Sequence, residues 1–311
     1  MPAAPLPQLE RLCLTDAGLE TDILFNRGID IPLFASITLL RTDEGRRELD
    51  RYFRGFLDLA RRLKAGFILE SATWRASSDW AEPLGITQSE LDNLNRAAIT
   101  MVAELKAEYA TPETPIVVSG CIGPRGDGYD PGRMMSIDEA QSYHSRQARV
   151  LASAGADLLS AITMTNIPEA TGVARAAQSI GVPVVISFTV ETDGRLPTGE
   201  DLGRAVGDVD AATASYPSYY MINCAHPTHF ASALTEKEAW TSRIRGVRAN
   251  ASRCSHAELD AMTELDKGDP VEFAELHRDL LRRFPQITVV GGCCGTDLTH
   301  VTAIAEACLA D

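Results

Sequence analysis

The chain has 311 residues, 45 % of them hydrophobic, enough for a full core without staples. Its 29 basic and 43 acidic residues give a formal net charge of -14, which argues against binding to nucleic acid or to an anionic membrane surface. Seven cysteines, an odd number in a long chain, do not read as a secreted disulfide scaffold and suit reduced thiols in the cytoplasm.

The opening stretch, MPAAPLPQLE, lacks the positive start and apolar run of a signal peptide, and no apolar run of about eighteen residues follows anywhere. Short apolar segments rich in β-branched residues predict eight strands, at 12–16, 66–73, 115–120, 156–163, 183–190, 219–224, 244–250 and 287–293. Helical patterns separate them. The stretch 46–64 puts Leu49, Phe53, Phe56, Leu57 and Ala60 on one face, and 89–109 opens at Ser89. The stretch 136–155 has a capping box, Ser136 with Glu139, and stops at Gly155. Further helices are expected at 167–181, from about 199 or 201 to 215, at 269–285, and in the final THVTAIAEACLA. This alternation predicts an α/β fold, a (β/α)₈ TIM barrel, as one domain over 1–311. A doubly wound open sheet is the runner-up, and TDAGLE after the first strand lacks its glycine fingerprint.

Barrel enzymes carry their chemistry at the C-terminal ends of strands. That rule selects Asp16, Glu70 and Thr73, Cys121, Thr163 and Met164, Glu191, Cys224 and His226, Asn250, and the adjacent pair Cys293 and Cys294. Neighbours in an extended segment point opposite ways, so two packing cysteines side by side make little sense. A sharp turn, allowed by Gly291, Gly292 and Gly295, would aim both sulfurs at one point, and a metal is the economical reason to do so. Cys224, on the strand end two places away, is the chosen third ligand. His226, His229 and Cys121 are alternatives, whereas His144, His256, His277 and His300 read as helix or surface residues. Three thiolates make zinc a poor water activator and a good holder of a substrate thiol, which points to thiol alkylation. Trp74, Trp80, Tyr129 and Tyr220 are candidates for an aromatic wall around a cationic donor.

The segments LTDAGLET (14–21), SGCIGP (119–124), AGADLL (154–159), NCAHP (223–227) and VVGGCCGT (289–296) together resemble the homocysteine S-methyltransferase family across nearly the whole chain. The resemblance implies a (β/α)₈ barrel and Zn2+ held by Cys224, Cys293 and Cys294, with homocysteine sulfur in the open position. It also implies in-line transfer of a methyl group from an onium donor such as S-methylmethionine, giving methionine. The family's early D-G-G turn, which helps to hold the amino acid part of homocysteine, becomes Asp16–Ala17–Gly18 here. Its strand-four glutamate, which binds the homocysteine ammonium, becomes Ile162, so Glu70 or Glu191 has to take over or the thiol differs. Thr163 and Asn250 complete the expected substrate wall. Other readings are a different acceptor thiol, another zinc-dependent reaction with Glu191 or His226 as base, and a non-catalytic zinc protein closed by His226 or Cys121. The expected partners are a small thiol and a methyl donor, with no nucleic acid and no membrane; a homo-oligomer is left open.

Overall fold

The computed structural model describes residues 6–309, apart from the side chain of Asp260. Both ends of the predicted domain, the first half of MPAAPLPQLE and Ala310 of the predicted last helix lie outside the described residues. The elements are β1 (Cys13–Leu14), α1 (Leu19–Thr21), α2 (Asp43–Leu63), β2 (Gly66–Glu70), α3 (Gln88–Tyr109), β3 (Ile116–Ile122), α4 (Ile137–Ser153) and β4 (Leu158–Met164). They continue with α5 (Ile167–Ile180), β5 (Val184–Phe188), α6 (Leu202–Thr213), β6 (Tyr219–Asn223), α7 (Pro227–Phe230) and β7 (Ile244–Ala249). The chain ends on α8 (His256–Ala261), α9 (Pro270–Arg283), β8 (Val289–Gly292) and α10 (Leu298–Leu309).

The eight strands pair in parallel in chain order, and β1 bonds to both β2 and β8, closing a (β/α)₈ barrel. Local chemistry sets the helix ends. Ser136 and Glu139 make the capping box of α4, and Gly181 ends α5 in the left-handed region at φ 70°. Thr87, not Ser89, caps α3 by accepting from the Glu90 amide. One crossover departs from the predicted alternation. Between β6 and β7 the chain forms only the four-residue α7 and a 3₁₀ turn, Ala239–Arg243.

The main core lies between strands and helices, and a smaller one fills the barrel with Ile68, Val117, Leu158, Val185, Tyr219, Met221 and Val289. Because side chains alternate along a strand, the next inward positions are Glu70, Ser119, Ser160, Ser187 and Asn223. A polar belt therefore crosses the barrel above the apolar plug, and β3 and β4 turn apolar again with Cys121 and Ile162 at their ends. Tyr220 points the other way, stacking on Phe188 and donating to Asp210, so it is no part of the predicted aromatic wall. No helix among the described residues is long and apolar enough to cross a membrane.

Candidate metal centre and substrate cavity

At the strand C-termini the sulfurs of Cys224, Cys293 and Cys294 converge, all within 4.8 Å of one another. Cys224 follows β6 with φ 53°, a left-handed conformation that is rare outside glycine. Its carbonyl accepts a 2.7 Å hydrogen bond from His256 Nε2, and its amide donates to the Arg248 carbonyl. Cys293 and Cys294 sit on a turn that closes when the Thr296 amide donates back to the Cys293 carbonyl. Of the three glycines expected to allow this turn, Gly295 alone has positive φ, 78°. Gly291 and Gly292 instead let β8 pass close to Thr15 and Thr296.

Cys224 Sγ and Cys293 Sγ lie against each other, and Cys294 Sγ lies 3.9 Å from Cys224 Sγ. Thiols gathered this tightly are within reach of oxidation, and a metal requires the pair reduced, since the thiolate is the ligand. The donor set fits such an ion. Tetrahedral Zn–S bonds of about 2.3 Å put ligand sulfurs roughly 3.8 Å apart.

Beside the cluster opens a cavity of about 420 Å³. Asp16, Ala17, Gly18, Glu70 and Thr163 line it together with the three cysteines. Glu191 and Asn250 do not. Glu191 lies on the far side of His256, 3.4 Å from its Nδ1, and Asn250 is buried where its amide donates to the Ala225 carbonyl. Ala17 avoids positive φ, so it carries no penalty for replacing glycine, and its amide donates to Tyr52 Oη. A Cβ on Gly18 would stand 2.5 Å from the Cys293 carbonyl oxygen, which explains glycine there. Trp74 and Tyr129 line the cavity and Trp80 does not. The Tyr129 hydroxyl is 3.4 Å from Cys294 Sγ, and its ring stacks on His256.

Neither His226 nor His229 approaches the sulfurs closely enough to join the cluster. His226 caps α7, and burial pushes its pKa down to about 4, while His229 bonds the Arg253 carbonyl. Cys121 lines the cavity outside the cluster, and burial pushes its thiol well above the usual range. His144, His256, His277 and His300 all lie in helices, as expected, and are buried there.

Three residues absent from the predicted site shape it. Arg248, inward on β7, forms buried ion pairs with Glu70 and, at 2.5 Å, with Asp16, and also bonds the Ala17 and Gly292 carbonyls. Burial raises the Asp16 carboxyl against the pull of Arg248. Asn223 accepts from the Thr163 amide and Ser187 Oγ and donates to Thr163 Oγ1. It thereby clamps Thr163, a β-branched residue at φ 66° where β4 slips register against β5. His256 holds the Cys224 carbonyl. The NC pair was a signal for Asn223; an arginine in IRGVRA and a histidine near a helix start carry none without coordinates.

The homocysteine S-methyltransferase family model matches residues 13–308. A homocysteine S-methyltransferase of Zea mays is 24 % identical over 269 residues, covering 79 % of this chain and 76 % of that protein. A homocysteine S-methyltransferase of Arabidopsis thaliana is 22 % identical over 316 residues, covering 94 % and 92 %. The metallated form of the Escherichia coli homocysteine methyltransferase MmuM superposes with a TM-score of 0.73 at 20 % identity, covering 96 % of each chain, and so shares the fold. The oxidized form of that protein also superposes at 0.73, with 22 % identity over 96 % of this chain and 97 % of that one. With nearly all of its length matched by the family model and the three thiols gathered at the barrel mouth, the chain belongs to the homocysteine S-methyltransferase family, enzymes of methyl transfer to a thiol.

Proposed function

We propose that this protein is a zinc-dependent methyltransferase that moves a methyl group from an onium donor, S-methylmethionine or similar, to homocysteine, giving methionine. The observation that carries the reading is the convergence of Cys224, Cys293 and Cys294 beside a cavity large enough for both reactants. Bound zinc supplies a Lewis acid that keeps the acceptor sulfur as thiolate at neutral pH. The residues of the chain do the rest. The reduced cysteines would hold the ion and leave one position facing the cavity. His256 fixes the backbone at Cys224 and Asn223 fixes it at Thr163, so the ligand cysteine and the cavity wall beside it are each set before substrate arrives. Ile162, Leu24 and Phe25 add an apolar wall that limits water around a thiolate, and the rings of Trp74 and Tyr129 suit a cationic donor. The reading extends to one barrel domain over 1–311 working in the cytoplasm, where thiols stay reduced. Ile162 on the cavity wall favours a second reading, methyl transfer to a thiol without an ammonium group.

The test loads reduced protein with zinc and crosses homocysteine with S-methylmethionine, betaine and a dimethylsulfonium salt, reading products by mass spectrometry. Thiol-dependent loss of a donor methyl group, with methionine formed, is the expected outcome. Undiminished activity in metal-free protein would defeat the metal's role.

A further inference from the structure

Glu20 and Arg75 border the cavity together with the cysteine cluster, and the metal centre uses neither. Glu20 lies on α1, the short turn beneath the cysteines: the Gly295 amide donates to Thr21 Oγ1, and Gly18 packs on the Cys293 carbonyl. Among the described residues its carboxylate is bonded by one side chain, Ser36, at 2.6 Å. Arg75 follows β2. Its guanidinium is wedged among Trp80, Trp74 and Phe34 at 4.7, 5.0 and 5.9 Å and donates to the Leu33 carbonyl and Asp127. Its Nε is buried without an acceptor, a cost that a structure carries for a reason. Arg75 is within electrostatic reach of both Glu20 and Cys294.

Of the other acids lining the cavity, Asp127 pairs with Arg75, Asp266 accepts from Ser252, and Glu264 is exposed at the rim. Arg248 neutralises Asp16 and Glu70, and Ile162 offers no charge where the family resemblance would place the ammonium ligand. An α-amino acid head needs one anion and one cation close together, a short aliphatic chain away from its sulfur. Glu20 and Arg75 supply that pair beside Cys294. Resting on the thiol-methyltransferase reading, we propose that Glu20 binds the α-ammonium and Arg75 the α-carboxylate of the acceptor thiol, so that the site selects a zwitterionic amino acid despite Ile162.

The test compares homocysteine with 4-sulfanylbutanoate, the same thiol without the ammonium group, by calorimetry on zinc-loaded protein. A simple dimethylsulfonium salt serves as the donor in parallel turnover assays, so no amino acid head comes from that side. Wild type should prefer homocysteine at least tenfold. Glu20→Gln should weaken homocysteine about 10- to 100-fold, the worth of a charged hydrogen bond, and leave 4-sulfanylbutanoate within twofold. Glu20→Asp should recover part of the preference, and Arg75→Gln should weaken both thiols. Thermal melts of each variant confirm folding. Equal binding of both thiols by wild type, or equal weakening of both by Glu20→Gln, would overturn the proposal. So would a Glu20→Gln effect that is absent with the simple salt and appears only as a raised KM when S-methylmethionine replaces it as donor, because the head recognised would then be the donor's. Failure of the underlying reading looks different: no thiol then accepts a methyl group from any donor.

Discussion

The cysteine turn and the charged floor adjoin in one cavity, Arg248 bonding the Gly292 carbonyl just before Cys293, and treat buried polarity in opposite ways. The turn gathers three thiols, groups that cost little to bury while neutral, and aims them at a shared point. The floor buries three ionisable groups, Asp16, Arg248 and Glu70, which are tolerable there because they bond one another. The first arrangement is unfinished without a ligand and therefore serves chemistry. The second is complete in itself and serves shape, holding β1, β2 and β7 in register under the substrate. Perturbing the two sides should separate activity from stability.

Cys294→Ala should give the largest effect. With one of three thiolates gone, bound zinc should fall by at least about tenfold and methyl transfer by 10³ or more, while the melting temperature of the metal-free protein stays within a few degrees. Metal analysis beside a turnover assay reads this directly. A variant that retained both metal and turnover would return the cluster to a packing role.

Arg248→Met should do the reverse, costing about 3–5 kcal/mol by leaving two carboxylates unpaired in the interior. Denaturant unfolding measures the loss. Adding Asp16→Asn and Glu70→Gln should restore much of it, because the orphaned charges are then removed as well. If Arg248→Met proved neutral, the floor would be wetter and softer than its burial indicates.

The two sides also differ in how far the amino-acid sequence exposes them. Eight apolar runs at regular spacing make the barrel legible, and the vicinal pair Cys293–Cys294 is rare enough to announce itself. Cys224 follows from being on a strand end two places away. Arg248 is silent because one charged residue in a strand looks like a rim position until the closed barrel turns it inward. Glu191 misled for the complementary reason. It ends a strand as a cavity residue should, yet it stands behind His256. Glu20 lies on a turn no strand rule inspects. Closure of the barrel brings distant residues together, and linear patterns do not encode which of them meet.

Asn223→Ala probes the seam between the two sides. The Thr163 amide loses its acceptor and Ser187 its partner, at a cost of about 2–3 kcal/mol. Thr163 should then leave its left-handed conformation and loosen the wall beside Cys224. The expected signature is a fall in kcat larger than any change in zinc content, measured on the same samples. A loss of zinc in proportion to kcat would instead make Asn223 part of the ligand support.

Acid should weaken the cysteine side through its neutral histidines. His277 is fully buried, its Nδ1 donating to the Phe273 carbonyl, and burial pushes its pKa down to about 4 from an unfolded value near 6.5. Between those values the unfolded chain binds the proton and the folded one does not, so stability rises with pH across this window. The contribution is fully present above about pH 6.5 and is lost as pH falls toward 4, reaching about 2 kcal/mol by pH 5. His226, also held near 4 and sharing Phe273 as a neighbour, should add in the same direction. Unfolding free energies at pH 7.5 and 5 give the size, and His277→Gln should flatten the slope. Hydrogen exchange gives the place: protection at pH 5 should drop first around α9 and the turn after β6, while β2 and β3, away from these histidines, hold. An even loss over the barrel would show that the acid sensitivity does not arise at these histidines.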